Sequence, residues 1–129
     1  MELRCKHCAD RYPHRKPTLI GAAYLGPVEG YEGLQVIVDT FGRWSRRDLA
    51  RRPSVTTVSR RLQPSQMLYG TRSVKLPCHS CKAQLAVGRE RLRPWLDEDY
   101  LAVLIGANGE IVPVGAPIKR ATRSSHAQG

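Results

Sequence analysis

The sequence predicts a small α+β domain, rich in strands and closed by a cluster of four cysteines. Three observations carry this expectation. The chain has 129 residues, the size of one domain, since domains usually run to about 100–150 residues. Its four cysteines fall in two Cys-x-x-Cys pairs, Cys5 with Cys8 and Cys78 with Cys81. Its apolar residues come in short runs punctuated by glycine and proline, which is how short strands and turns read. Composition narrows the class further. Hydrophobic residues are 41% and charged residues 25%, which fits neither a disordered chain nor a membrane protein. The apolar stretch from Tyr100 to Ala107 is far shorter than the roughly 18–20 residues that span a bilayer. Met1 to Cys5 contains no apolar signal region, so a cytoplasmic location is expected.

The first element is extended: Glu2 to Arg4 leads into Cys5-Lys6-His7-Cys8. In a reducing compartment these thiols stay reduced, and two such pairs supply the four thiolates that tetrahedral Zn²⁺ prefers. Two intervening residues let the chain wrap round an ion with both sulfurs on one side. Ser73 to Leu76 leads in the same way into Cys78-His79-Ser80-Cys81, and Lys82 to Gly88 supplies a returning strand. These knuckles and their flanking strands resemble the zinc ribbon, which implies one structural Zn²⁺ on Cys5, Cys8, Cys78 and Cys81. The departure is the gap, 69 residues between Cys8 and Cys78 against about 15–20 in the simple ribbon. A redox role needs a βαβ context around one pair, which neither pair has. His7, His14 and His79 lie close enough in sequence to leave a mixed ligand set open, although a side chain inside a knuckle usually points away from the metal. A site filled by four thiolates is a folding element, because catalysis needs an open position.

Between the pairs, Pro17 to Leu25 reads as a strand, followed by a turn-rich stretch at Gly26, Pro27, Gly30 and Gly33. Those glycines are not a phosphate-cradling loop, since no Gly-Lys-Ser/Thr follows. Leu34 to Val38 is a second strand, and its nearly continuous apolar run suits burial on both faces. Gln66 to Gly70 and Ser73 to Leu76 suggest a hairpin. After Gly88, Leu92, Trp95, Leu96, Tyr100, Leu101 and Leu104 recur at helical spacing, while Pro94 starts or kinks any helix there. The Asn108-Gly109 turn signal favours the competing reading, in which Tyr100–Ile105 and Glu110–Val114 form a hairpin after a helical turn near Arg91–Asp97. The expected organisation is one zinc-stabilised domain over 1–118, with knuckles 1–16 and 73–88 flanking an insertion at 17–72. A basic, disordered tail occupies 119–129.

Charge gives the functional signal. Lys and Arg number 21 against 11 Asp and Glu, a net charge of +10. Residues 43–61 alone carry +6, from Arg43, Arg46, Arg47, Arg51, Arg52, Arg60 and Arg61 against Asp48. Ser45 and Asp48 suit the start of a short arginine-rich helix that Pro53 ends. Asp48-Leu49-Ala50-Arg51 and Thr57-Val58-Ser59-Arg60 resemble phrases of repressor helix-turn-helix units, whose second helix enters the major groove. Their join is about two residues shorter than that pattern and includes Pro53. The β-branched run Val55 to Val58 also suits a strand.

These seven arginines are the expected nucleic-acid-binding residues, through phosphate contacts, with DNA favoured over RNA. The expectation is therefore a zinc-binding, non-enzymatic nucleic-acid-binding protein, such as a small bacterial or phage transcription regulator. The alternative is a module that docks on an acidic protein partner such as RNA polymerase. No Ser-His-Asp phrase or carboxylate pair stands out. The four histidines (His7, His14, His79 and His126) and the lone Asn108 lack the strand-helix setting of a His-Asn-His nuclease.

Overall fold

A computed structural model describes residues 1–40 and 73–117, and elements are numbered over those residues. The arginine-rich segment 43–61, the strand expected at 66–70 and the tail 119–129 lie outside them. Content is mixed and mostly sheet. The described residues form seven strands: β1 (Glu2–Cys5), β2 (Leu19–Pro27), β3 (Leu34–Thr40), β4 (Ser73–Lys75), β5 (Ala86–Gly88), β6 (Ala102–Ile105) and β7 (Ile111–Val114). The short helix α1 spans Lys6–Arg11, and a 3₁₀ turn at Arg89–Leu92 runs into α2 (Arg93–Asp97).

Five strands form one mixed sheet in the order β3-β2-β1-β6-β7, and β4 pairs with β5 in a second sheet. The four-residue β1 is central: antiparallel to β2, with Leu3 opposite Gly21, and parallel to β6, with Cys5 opposite Ile105. Register shifts between Leu3 and Arg4, leaving Ile20 as the extra residue of a bulge in β2. Side chains alternate along each strand, so Leu3, Cys5, Ala23, Val36, Val38, Val103 and Ile105 share one buried face. Val74, Leu76, Leu85 and Val87 of the β4–β5 hairpin join that core, with Leu92 from the 3₁₀ turn. Each such side chain contributes about 1.5–3 kcal/mol on burial. Strand β3 is buried on both faces, Val36, Ile37 and Val38 being 0%, 2% and 0% exposed.

The carboxyl half adopts the hairpin reading. Strand β6 pairs antiparallel with β7 from Ala102–Val114 to Ile105–Ile111. Gly109 takes φ +76° in the turn, a left-handed conformation that suits glycine, and its N–H donates to Gly106 O at 3.2 Å. Pro94 stands in the first turn of α2, where its missing N–H costs nothing. The Leu92–Leu104 periodicity is thus split between two elements, because the chain leaves α2 through Asp99 at φ +58°. Trp95 and Tyr100 close the exit with an edge-to-face contact at 5.2 Å.

Ser73–Lys75 pairs with Ala86–Gly88 across the second knuckle, which is the returning strand expected after Cys81. The hairpin expected between 66–70 and 73–76 has one strand outside the described residues. The first knuckle departs from the ribbon pattern: no strand returns directly from Cys8, and α1 follows instead. Cys5 serves as the helix N-cap, its sulfur accepting the Cys8 N–H at 3.4 Å. That bond satisfies one of the donors every helix start leaves open.

Candidate metal centre

The cysteines come from two places in the fold. Cys5 ends the central strand, and Cys8 follows one turn later in α1. Cys78 and Cys81 sit in the loop between β4 and β5. That loop is built by backbone bonds: Leu76 N–H to Leu85 O at 2.8 Å, Cys78 N–H to Ala83 O at 3.0 Å, and Lys82 N–H to Cys78 O at 3.0 Å. Lys82 turns the chain at φ +64°, a conformation that disfavours a side chain bearing a Cβ.

The fold brings all four sulfurs within 4.8 Å of one another. Cys5 Sγ lies 3.6 Å from Cys81 Sγ, and Cys8 Sγ lies 3.7 Å from Cys78 Sγ. A disulfide would hold its sulfurs about 2.05 Å apart. A tetrahedron with metal–sulfur bonds of about 2.3 Å has edges of about 3.8 Å, so these separations fit four thiolates on one ion. Cys5, Cys8 and Cys78 are buried and Cys81 is half-buried. No fifth His, Cys, Asp or Glu joins the group among the described residues. His7 is exposed and His14 is too, and neither belongs to the cluster.

Burial disfavours uncompensated charge on two of these sulfurs. Burial pushes the thiols of Cys5 and Cys78 above their ordinary range, because a lone thiolate is costly away from water. Burial acts in the same direction on Cys8. Hydrogen bonds from the Thr18 hydroxyl and the neighbouring thiols outweigh it, holding Cys8 below its ordinary value. Thr18 Oγ1 donates to Cys8 Sγ at 3.4 Å. The sequence marks Thr18 only as the start of a strand. Ten residues separate it from Cys8, and only the return of the chain onto β1, where Cys5 N–H donates to Thr18 O at 2.9 Å, brings the two together.

The seven arginines expected to bind nucleic acid, Arg43 to Arg61, lie outside the described residues. Several described cations are committed to the fold. Arg4 pairs with Glu2 at 2.6 Å and also donates to Pro17 O at 2.6 Å. Lys6 pairs with Asp10 at 2.7 Å. Arg89 and Arg93 donate to the Val36 and Leu34 carbonyls of β3, each at 3.1 Å. Among the described residues no helix is long and apolar enough to cross a membrane. Compared with known protein families, curated proteins and solved structures, the chain matches none. What the fold and the site define is a class: a small α+β domain with four cysteines arranged to hold a metal ion.

Proposed function

We propose that this is a nucleic-acid-binding protein whose fold is closed by one structural Zn²⁺ on Cys5, Cys8, Cys78 and Cys81. Zinc suits the donor set, four sulfurs at tetrahedral spacing with no His, Asp or Glu joining them among the described residues. When bound, the ion supplies cross-linking charge, not an open coordination position, so the function assigned is binding and not catalysis.

The observation that carries the nucleic-acid reading is the placement of charge. Of the net +10, +6 falls in residues 43–61. In sequence that stretch lies between β3, which ends at Thr40, and β4, which begins at Ser73, five residues before Cys78. Seven arginines against one aspartate give a phosphate-binding surface with little internal neutralisation. DNA is the proposed target, and a regulatory role in transcription follows from it.

The test is binding of the zinc-loaded full chain to duplex DNA and to RNA of equal length, followed by anisotropy across a salt series. Six or more phosphate contacts imply a fall in affinity of about 10³-fold or more between roughly 50 and 200 mM salt. No affinity for either polymer at low ionic strength overturns the reading. A stoichiometric protein partner that survives nuclease treatment supports docking on acidic machinery instead.

A further inference from the structure

We propose that the cleft beside the four-cysteine centre is an anion site that takes backbone phosphate of the bound nucleic acid, an inference that rests on the reading above. The cleft encloses about 510 Å³. It is lined by Cys8, Arg11, Tyr12, Arg15, Lys16 and Thr18 from the first knuckle and its return, and by Ser80 and Cys81 from the second. Among the described residues three cations line it and no carboxylate does.

The cations are placed and uncommitted. Arg11 and Arg15 each hold a guanidinium over the Tyr12 ring, 5.5 and 5.3 Å from its centroid. This stacking limits the freedom either side chain loses on gripping an anion. The backbone beneath is tied to the metal ligands, Tyr12 N–H donating to Cys8 O at 2.8 Å and Arg15 N–H to Tyr12 O at 3.0 Å. Arg11, Tyr12, Arg15 and Lys16 are exposed. Among the described residues no carboxylate pairs with Arg11, Arg15 or Lys16, whereas the neighbouring Lys6 is paired with Asp10. Neutralising the centre does not account for all of them. Four thiolates on a divalent ion carry a formal charge of −2, and three of those sulfurs belong to buried residues. Three exposed cations at the cleft exceed that charge, leaving a surplus facing solvent. A phosphodiester offers the acceptor oxygens that such a guanidinium pair and ammonium fit. The cleft thus adds phosphate contacts at the metal knuckles to those proposed for the central arginines.

The test compares the zinc-loaded full chain with R11Q/R15Q/K16Q and with R15Q/K16Q, whose two changes lie beyond α1. A 20-base-pair DNA duplex serves as the probe, with zinc content and melting temperature measured alongside. Removing one cation from a phosphate lowers the slope of log affinity against log salt by roughly 0.9. The expected result is a slope reduced by about 2–3 in the triple variant and about 1–2 in the double, with at least about tenfold weaker binding at low salt and zinc retained. If the wild-type chain binds and both variants keep its affinity and slope, the cleft is not a phosphate site, while the nucleic-acid reading stands. If both variants lose zinc, the cations serve the centre and the proposal is equally overturned. If the wild-type chain binds neither this duplex nor RNA of equal length, the parent reading fails and the cleft assignment goes with it.

Discussion

At the scale of single residues, the metal centre is set by side chains with unequal tasks. Cys78 is held in a loop built by its own backbone bonds, and its sulfur lies 3.7 Å from Cys8 Sγ. Cys78→Ser leaves three thiolates and a poor fourth ligand. The expected outcome is a wild-type chain carrying one zinc, and a variant that loses it and fails to fold. Metal analysis with far-ultraviolet circular dichroism checks both. Thr18 is subtler, since it touches the centre only through its hydroxyl on Cys8 Sγ. Hydrogen bonds to ligands orient them and tune their basicity, and losing one typically costs about 10–100-fold in metal affinity. Thr18→Val keeps the β-branched shape on β1's neighbouring chain and removes the donor. A chelator competition is expected to show weaker zinc retention with the folded spectrum unchanged.

At the scale of elements, the packing of the hairpin and of the 3₁₀ turn on the sheet carries its own expectations. Gly21 lies opposite Leu3, and a Cβ there would collide with the Asp39 carbonyl and press on Leu76 Cδ2 at 3.1 Å. The backbone oxygen cannot swing aside as a flexible side chain would. Gly21→Ala is therefore expected to destabilise by about 1–3 kcal/mol, the cost of overpacking, read as a lower denaturant midpoint. Arg89 works differently. It is 8% exposed and donates to Val36 O at 3.1 Å, on the side of β3 turned away from β2. Among the described residues β3 is an edge strand, and together with Arg93 on Leu34 O Arg89 covers carbonyls that the β2–β3 ladder does not use, which blunts that edge. Arg89→Met is expected to cost about 1–3 kcal/mol, because it strips a buried carbonyl of its partner. Thermal unfolding measures that loss, and light scattering reports any association through the bared edge.

At the scale of the whole molecule, the proposed metal site is a clasp between distant parts of the chain. Cys8 and Cys78 are 70 positions apart, and one ion would tie the central strand of the large sheet to the small hairpin. Stripping zinc is expected to unfold or loosen the entire domain, since binding energy at such sites is folding energy. The pH dependence follows from the thiols. Burial raises Cys5 and Cys78 in the folded chain. In a metal-free fold the contribution of this pair would be present below the unfolded thiol value, about 8.5, and be lost as pH rises through the folded value, while Cys8, held low, contributes in the opposite sense. In the zinc-loaded protein the sign reverses, because the metal holds the sulfurs as thiolates and protons compete with it. Stability is then lost as pH falls. The melting temperature of the zinc-loaded chain is expected to fall as pH is lowered, and one that stays unchanged while zinc is released would refute coordination by these sulfurs.

Much of this was legible in the chain. The Cys-x-x-Cys spacing identifies ligand pairs because wrapping an ion is a local act of a few residues. The apolar runs at 19–25 and 34–38 announce strands β2 and β3, and Asn108-Gly109 announces the last hairpin, since alternation and turn chemistry are also local. Glycine and proline placement separated the helical turn near Arg91–Asp97 from the strand after it. By contrast, α1 carried no strong apolar periodicity, and its start depends on a sulfur acting as the cap.

The sequence by itself therefore determined the ligand set, the strand-rich class and the concentration of positive charge at 43–61. Only the tertiary structure decided that β1 is the central strand, parallel to β6 nearly a hundred residues later. It also put Thr18 on Cys8 and gathered Arg11, Arg15 and Lys16 beside Cys81. The reason is physical. Spacing, periodicity and turn propensity act over a few neighbouring residues, whereas strand order and the walls of a cleft are fixed by which distant surfaces bury one another.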